Sequence, residues 1–224
     1  MTLRGTPIKF PPRANRLVTA PTVEPVTADE LRTQLREGAT GLPDLEANDL
    51  IEISRQWVED KISVSFIDQT WKLTLDHWPN NGKTPWWDGI KTGSMAELHN
   101  PIGAIVSPPR WPMTSVESLT TYDTDGTPTV LVVANTLDVD AASIPARIQL
   151  KRDVSLPSNN RLFASIEIVY ISGYGATGAF VPAPMKRAIL QVAAGLYTHR
   201  GDGCDAVADT MTKDLIETYR LGRI

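Results

Sequence analysis

Residues 166–184 read Ile166-Glu167-Ile168-Val169-Tyr170-Ile171-Ser172-Gly173-Tyr174-Gly175-Ala176-Thr177-Gly178-Ala179-Phe180-Val181-Pro182-Ala183-Pro184. A strand-like run leads into a glycine cluster of the form G-x-G-x-x-G, and a helical pattern follows. The stretch poses a choice between a dinucleotide-binding fold and something else. A phosphate-cradling loop works when its third glycine opens the helix, so that free N–H groups and the positive dipole end face the pyrophosphate. Here Phe180, Val181, Pro182, Ala183 and Pro184 intervene. A ribose-binding acid would end a further parallel strand about 20 residues on, but that position lies inside the helical pattern of 185–198. The stretch therefore predicts a glycine-rich turn from a sheet into a proline-started helix, with no nicotinamide or flavin site and no cofactor.

Upstream, Thr27-Ala28-Asp29-Glu30 is a capping box for a first helix over 27–38, with Ala28, Leu31 and Leu35 on one face. Pro43-Asp44 opens a second helix over 44–62. In it Leu50, Ile51, Ser54, Trp57, Val58 and Ile62 recur at helical spacing, and Glu52, Arg55, Gln56 and Glu59 are expected to face outward. Trp71-Lys72-Leu73-Thr74-Leu75-Asp76 alternates as a half-buried strand should. Further strands are expected around 116–122, 129–133, 137–139, 147–150 and 163–171. After the glycine cluster come two helices, 184–199 with Met185, Ala188, Ile189, Val192, Ala193, Leu196 and Tyr197 on its apolar stripe, and 205–220 burying Val207, Met211 and Leu215.

The segment 79–112 fits none of these patterns. It carries six prolines and the tryptophans Trp86, Trp87 and Trp111, and is too long and broken for an ordinary connection. Such a loop is usually functional or folded over its own hydrophobes. The three indoles suit either a flat platform for sugar rings or anchors for the loop against a sheet or a neighbouring subunit.

The 224 residues are 42% hydrophobic and carry a net charge of −4, with no apolar run long enough to span a membrane. A negative balance argues against a general nucleic-acid binder. One cysteine, Cys204, excludes an internal disulfide among these residues and lacks an obvious base. Charge is uneven: before Glu24 stand Arg4, Lys9, Arg13 and Arg16 with no acid, among prolines, so 1–24 reads as an extended basic arm.

Catalytic chemistry finds no support. Asp123-Thr124-Asp125-Gly126 resembles the start of a calcium loop, but Ala134 stands where the closing glutamate belongs, and a hairpin turn explains Asp-Gly better. His77, His99 and His199 lie far apart and lack partner ligands at metal spacing, so no metal site is expected. No nucleophile motif appears. The expectation is a protein that is not an enzyme.

The order of segments resembles a known family. Thr27-Ala28-Asp29-Glu30-Leu31-Arg32, Asp49-Leu50-Ile51 through Trp57-Val58-Glu59, Gln69-Thr70-Trp71-Lys72-Leu73-Thr74-Leu75-Asp76, Pro112-Met113-Thr114-Ser115-Val116, Tyr122-Asp123-Thr124-Asp125-Gly126, Gly173-Tyr174-Gly175, Val181-Pro182 with Lys186-Arg187-Ala188-Ile189-Leu190, and Leu196-Tyr197-Thr198-His199-Arg200 are similar to the head–tail connector (adaptor) proteins of tailed bacteriophages. That family includes the neck adaptors of phage-like gene transfer agents. The long Trp86–Pro101 stretch and Ser107-Pro108-Pro109-Arg110 depart from its pattern.

The resemblance implies a structural virion protein, made in the bacterial cytoplasm and located in the particle neck. It would form a ring of about twelve copies that docks under the portal protein and presents a surface to a head-closure, stopper or tail-completion protein. Double-stranded DNA would pass its lumen without sequence-specific binding. With the periodicities it implies an α+β fold: a small helical bundle of two N-terminal and two C-terminal helices, and an antiparallel β-region over 69–172 inserted between them, the whole domain spanning 25–224. Candidate assembly contacts are Arg4, Lys9, Arg13, Arg16, Trp86, Trp87, Trp111, Arg220 and Arg223. The alternatives are a carbohydrate- or receptor-binding particle protein using Trp86, Trp87 and Trp111, and, last, a nucleotide-binding oxidoreductase.

Overall fold

A computed structural model describes residues 13–37, 41–79, 105–199 and 210–219. The fold is α+β. Its elements run β1 (Arg13–Thr19), α1 (Ala28–Leu35), α2 (Asp44–Ile62), β2 (Gln69–Leu75), β3 (Met113–Tyr122), β4 (Pro128–Leu131), α3 (Val133–Thr136), β5 (Leu137–Asp140), β6 (Arg147–Leu150), β7 (Ile166–Ser172), α4 (Ala183–Thr198) and α5 (Thr210–Glu217). Two compact units share the chain, one drawn from Met1–Val18, Thr70–Pro109 and Met113–Ile171, the other from Thr19–Gln69, Arg110–Pro112 and Ser172–Ile224.

The second unit is the helical one. Thr27 caps α1 as its sequence requires: its side chain accepts from the Glu30 N–H at 3.2 Å, and the Thr27 N–H donates to the Glu30 carboxylate at 2.7 Å. Helices α1, α2, α4 and α5 pack on one another around Leu31, Ile51, Val58, Met185, Ile189 and Val192, each 1% exposed or less. Burying one such side chain stabilises by about 1.5–3 kcal/mol. The stripe expected on α4 is the buried one. On α5 the buried residues are Thr212 and Ile216, while Leu215 is only half-buried. Val207 and the side chain of Met211 lie outside the described residues.

The first unit is built on a sheet of order β1-β2-β7-β3-β4 and a two-stranded sheet β5-β6. Strict alternation on β2 and β7 puts Trp71, Leu73, Leu75, Ile166, Ile168 and Tyr170 in the core and leaves their neighbours half-buried. A slip of one residue would send all of them to the other face, so the pattern fixes register. On that other face Lys72 Nζ pairs with Glu167 at 3.2 Å, and Tyr122 donates to the same carboxylate at 2.9 Å, joining β2, β7 and β3 in one row. The Glu167 hydrogen bond raises the Tyr122 pKa.

Asp123-Thr124-Asp125-Gly126 is a hairpin turn. Strands β3 and β4 pair antiparallel from Tyr122↔Pro128 to Leu119↔Leu131, and Asp123 Oδ1 accepts from the N–H groups of Asp125 and Thr127 at 3.0 and 2.8 Å. Its carboxylate oxygens serve the turn as an Asx cap. Two sequence expectations differ here. Strand β4 stops at Leu131 because Val133–Thr136 winds into α3, where the Thr136 hydroxyl donates to Val132 O. The strand expected from Phe163 begins at Ile166, since Ala164 takes a left-handed conformation with φ 51°. Part of the expected arm is also structured: the proline-free Arg13–Thr19 forms β1, and Asn15 accepts from the buried Tyr170 hydroxyl at 3.0 Å.

The glycine cluster serves close packing. A Cβ on Gly173 would lie 2.5 Å from the Asp68 backbone nitrogen, and one on Gly178 would lie 2.4 Å from Pro25 O. Helix α4 begins at Ala183, after a 3-10 turn over Gly178–Phe180, so the third glycine does not open it.

Gly173→Ala is therefore expected to lower stability by about 1–3 kcal/mol through overpacking, read by urea denaturation; a loss below about 0.5 kcal/mol would show that the contact relaxes freely. A second test concerns the β5–β6 connection, where the Ser143 hydroxyl and Arg147, with the Ser143 N–H, hold the Asp140 carboxyl down at about 2. Its folded value is depressed, so this contribution to stability is present above the unfolded value near 3.9 and is lost as pH falls through about 2. Carbon-detected NMR titration should find that low midpoint, and Ser143→Ala should move it upward.

Candidate functional site

Helix α2 carries Ile51, Arg55, Val58, Glu59 and Ile62 on one face, at spacings of three and four. Sequence reasoning sent Arg55 and Glu59 outward by residue type, and the structure corrects this: each is 4% exposed. A buried charge is tolerable only when paired and hydrogen-bonded. Arg55 Nη1 donates to Glu59 Oε2 at 2.9 Å, and Arg55 Nε donates to Glu24 Oε2 at 2.7 Å. The other Glu59 oxygen accepts from the Phe66 N–H at 2.8 Å and from Gln69 Nε2 at 2.9 Å.

Opposing effects set the two charges. Burial pushes the Glu59 pKa above the ordinary carboxylate range, against Arg55, the Phe66 N–H and Gln69, which pull it down. Burial also works against the Arg55 cation, but Glu24 and Glu59 outweigh it and its pKa is raised. Every oxygen of the Glu59 carboxylate has a donor, so the group is a joint: it ties the 24–26 segment, α2 and the chain entering β2 together. Nothing in it resembles an acid–base pair open to a substrate.

The end of α2 is closed by another arginine. Arg110 Nη1 donates to Glu59 O at 2.8 Å and Val64 O at 3.2 Å, and its other nitrogen pairs with Asp60. The last carbonyls of a helix lack intrahelical partners, and a cation there also meets the negative end of the dipole. Next to it Trp111 exchanges backbone hydrogen bonds with Ser63 and Ser65, is 6% exposed, and meets Tyr174 edge to face at 6.4 Å. Burial pushes the Tyr174 hydroxyl up to about 12. Trp111 is therefore a core anchor rather than an exposed assembly contact, and it is unavailable to a sugar-binding platform.

Of the other expected assembly contacts, Arg16 lies exposed on β1, and Arg13 begins that strand. Arg4, Lys9, Trp86, Trp87, Arg220 and Arg223 lie outside the described residues, as does Cys204. Among the described residues no three His, Cys, Asp or Glu side chains gather where they could hold a metal ion.

The described surface also carries exposed apolar side chains. Leu162 and Phe163 are 83% and 75% exposed, on a turn that is firmly held. The Arg161 side chain donates to Ala164 O at 2.9 Å, the Arg161 N–H to Tyr122 O at 3.1 Å, and the Ala164 N–H to Asp76 Oδ1 at 2.8 Å. The Arg161 guanidinium also lies 4.0 Å from the centre of the Tyr122 ring. Val130 and Val132, on and just after β4, are 70% and 62% exposed. Period-two patterning had marked these strands without marking which of their residues stay uncovered.

Comparison with solved structures gives the architecture a context. A chain in the neck of an empty gene transfer agent (GTA) particle, computed with C6 symmetry, superposes with a TM-score of 0.68 at 24% identity, over 94% of this chain and 97% of that one. The fold is shared with chains of gene transfer agent particles. A chain from the virion of a native particle gives 0.67 at 20% identity, over 94% and 96%, and one from the neck of a native particle computed with C12 symmetry gives 0.64 at 21%, over 94% and 97%. No protein-family model matches the sequence, and no curated protein does.

If the Arg55–Glu59 joint organises the helical unit, Glu59→Ala should cost about 3 kcal/mol, because it leaves the buried Arg55 with Glu24 alone and strands the Phe66 N–H and Gln69 Nε2 donors. Replacing both residues by leucine should recover only part of the loss, since the Phe66 N–H and Gln69 Nε2 still lack their acceptor. Urea denaturation of the two variants measures this, and a single variant within about 1 kcal/mol of the parent would contradict the joint.

Proposed function

We propose that this protein is a structural component of the neck of a tailed-phage-like particle, a head–tail connector that sits as a ring beneath the portal and links the DNA-filled head to the next neck or tail protein. The observation that carries the reading is a shared fold running over 94% of this chain and nearly the whole of three chains from gene transfer agent particles, two of them described as particle necks. The co-linear segments of the sequence point the same way.

Other features support it. The two necks were computed with C6 and C12 symmetry, which suits a chain present as a closed ring of about twelve copies. The net charge of −4 suits a wall past which DNA slides without sticking. The proposed partners are copies of this chain, a portal protein, a stopper or tail-completion protein, and passing double-stranded DNA.

Cryo-electron microscopy of particles carrying this chain tests the reading. A ring of copies between portal and tail is expected; its absence from the neck, or a single copy there, would sink the proposal. The loop gives a second test. Trp86→Ala with Trp87→Ala should leave the purified chain folded and yield DNA-filled heads without tails, since aromatic anchors at interfaces can each contribute about 2 kcal/mol or more. Complete particles that fail only to adsorb to cells would instead assign the loop to receptor or sugar binding.

A further inference from the structure

A ring in which every copy is equivalent needs two different surfaces on each copy, one fitting the other. The five-stranded sheet ends in two such edges, β1 on one side and β4 on the other. Successive strand residues point to opposite faces. On β1 Leu17 and Val18 are 40% and 55% exposed, and on β4 both Thr129 and Val130 are exposed, the latter at 70%. Among the described residues, each edge strand thus shows exposed side chains on both faces, and no further strand pairs with its rim.

That arrangement is unusual for a chain that stays alone. Exposed edges are templates for further pairing, and proteins commonly blunt them with lysines, bulges or a covering element. Pro128 at the start of β4 is a partial guard, since it has no N–H; with Thr129 and Leu131 opposite Thr121 and Leu119 in the ladder to β3, the backbone groups of Val130 are the ones turned toward the rim. The two edges also differ in sign. Strand β1 carries Arg16 exposed and no acid between Arg13 and Thr19, whereas the turn leading into β4 carries Asp123 and exposed Asp125.

We propose that the β4 edge of one copy docks on the β1 edge of the next, extending the five-stranded sheet from copy to copy. Val130 and Val132, on one face, then pack beside whichever of Leu17 and Val18 shares that face, and the Asp123–Asp125 turn faces the Arg16 side. Main-chain pairing supplies attraction, and the apolar and charged side chains fix which edge meets which. This rests on the ring proposed above and names the surface that closes it.

Photocrosslinking of the full chain tests the pairing. Val130→p-benzoylphenylalanine is made in an isotopically light chain and mixed with a heavy parent chain, both as purified protein at high concentration and in assembling particles. Light–heavy crosslinks landing within Arg13–Thr19 are expected. Arg16→Glu with Val18→Glu, on a strand exposed to both sides, should keep the far-ultraviolet circular dichroism and lower crosslink yield about tenfold or more. Crosslinks to another region of the chain, to a different particle protein, or none in either preparation would overturn the edge pairing. A neck ring whose Val130 position crosslinks elsewhere would leave the connector reading standing and remove this one. Light–heavy β4-to-β1 crosslinks in a chain absent from necks would do the reverse.

Discussion

The helical unit depends on a carboxylate and a guanidinium that have lost their water. Arg55 and Glu59 sit one turn apart on α2 at 4% exposure each, and a charge so placed is costly unless every lone pair and N–H finds a partner. The partners come from separate pieces of chain: Glu24 from the segment before α1, the Phe66 N–H from the connection after α2, and Gln69 from the first residue of β2. An apolar pair could fill the same volume but would leave Glu24, the Phe66 N–H and Gln69 without these partners. What the ion pair adds is direction, because only one path of the 24–26 segment and one path out of α2 satisfy it. Arg110 applies the same logic to the exposed carbonyls at the helix end.

In the β unit the governing constraint is the alternation along β2 and β7. With Leu73, Ile166, Ile168 and Tyr170 at 1% exposure or less, the central strands have one permitted register, and the outer pairs inherit their places from it. The row Lys72–Glu167–Tyr122 crosses three strands on the other face, so opposite charge and a phenol reinforce the order that burial sets. The edges have no such double constraint. On β1 they leave Leu17 and Val18 exposed on opposite faces, and on β4 Val130.

Much of this was legible beforehand where one local signal dominated. The capping box at Thr27 placed α1, the 3.6-residue stripe of Met185 to Ala193 placed the buried face of α4, and Asp-Gly at 125–126 marked the β3–β4 turn. The failures share a cause, which is that tertiary partners overrode residue type. Arg55 and Glu59 follow Ile51, Val58 and Ile62 in helical phase, so their positions announced burial while their charges announced exposure. Phase was the better guide. Trp111 stood in a stretch read as surface loop, and nothing local revealed that Ser63 and Ser65 would draw its backbone into the helical unit. Arg13–Thr19 was obscured by the prolines before and after it, and the seven residues carry no period-two pattern that would mark a strand.

The glycine cluster shows how one sequence pattern arises from two different physical needs. In a dinucleotide fold the glycines let a phosphate approach the backbone. Here the approaching groups belong to the chain itself: Asp68 against Gly173 and Pro25 O against Gly178. The strand that delivers the cluster, β7, is held on its far side by Pro112, whose carbonyl accepts from the Gly173 N–H at 2.9 Å and from the Ser172 hydroxyl at 2.9 Å. Three segments distant in sequence therefore converge on one short turn, and a side chain at Gly173 or Gly178 would push one of them away. The motif is thus spent on closing the helical unit, which is why α4 waits until Ala183 to begin and its N-terminus follows Val181 and Pro182 rather than a glycine.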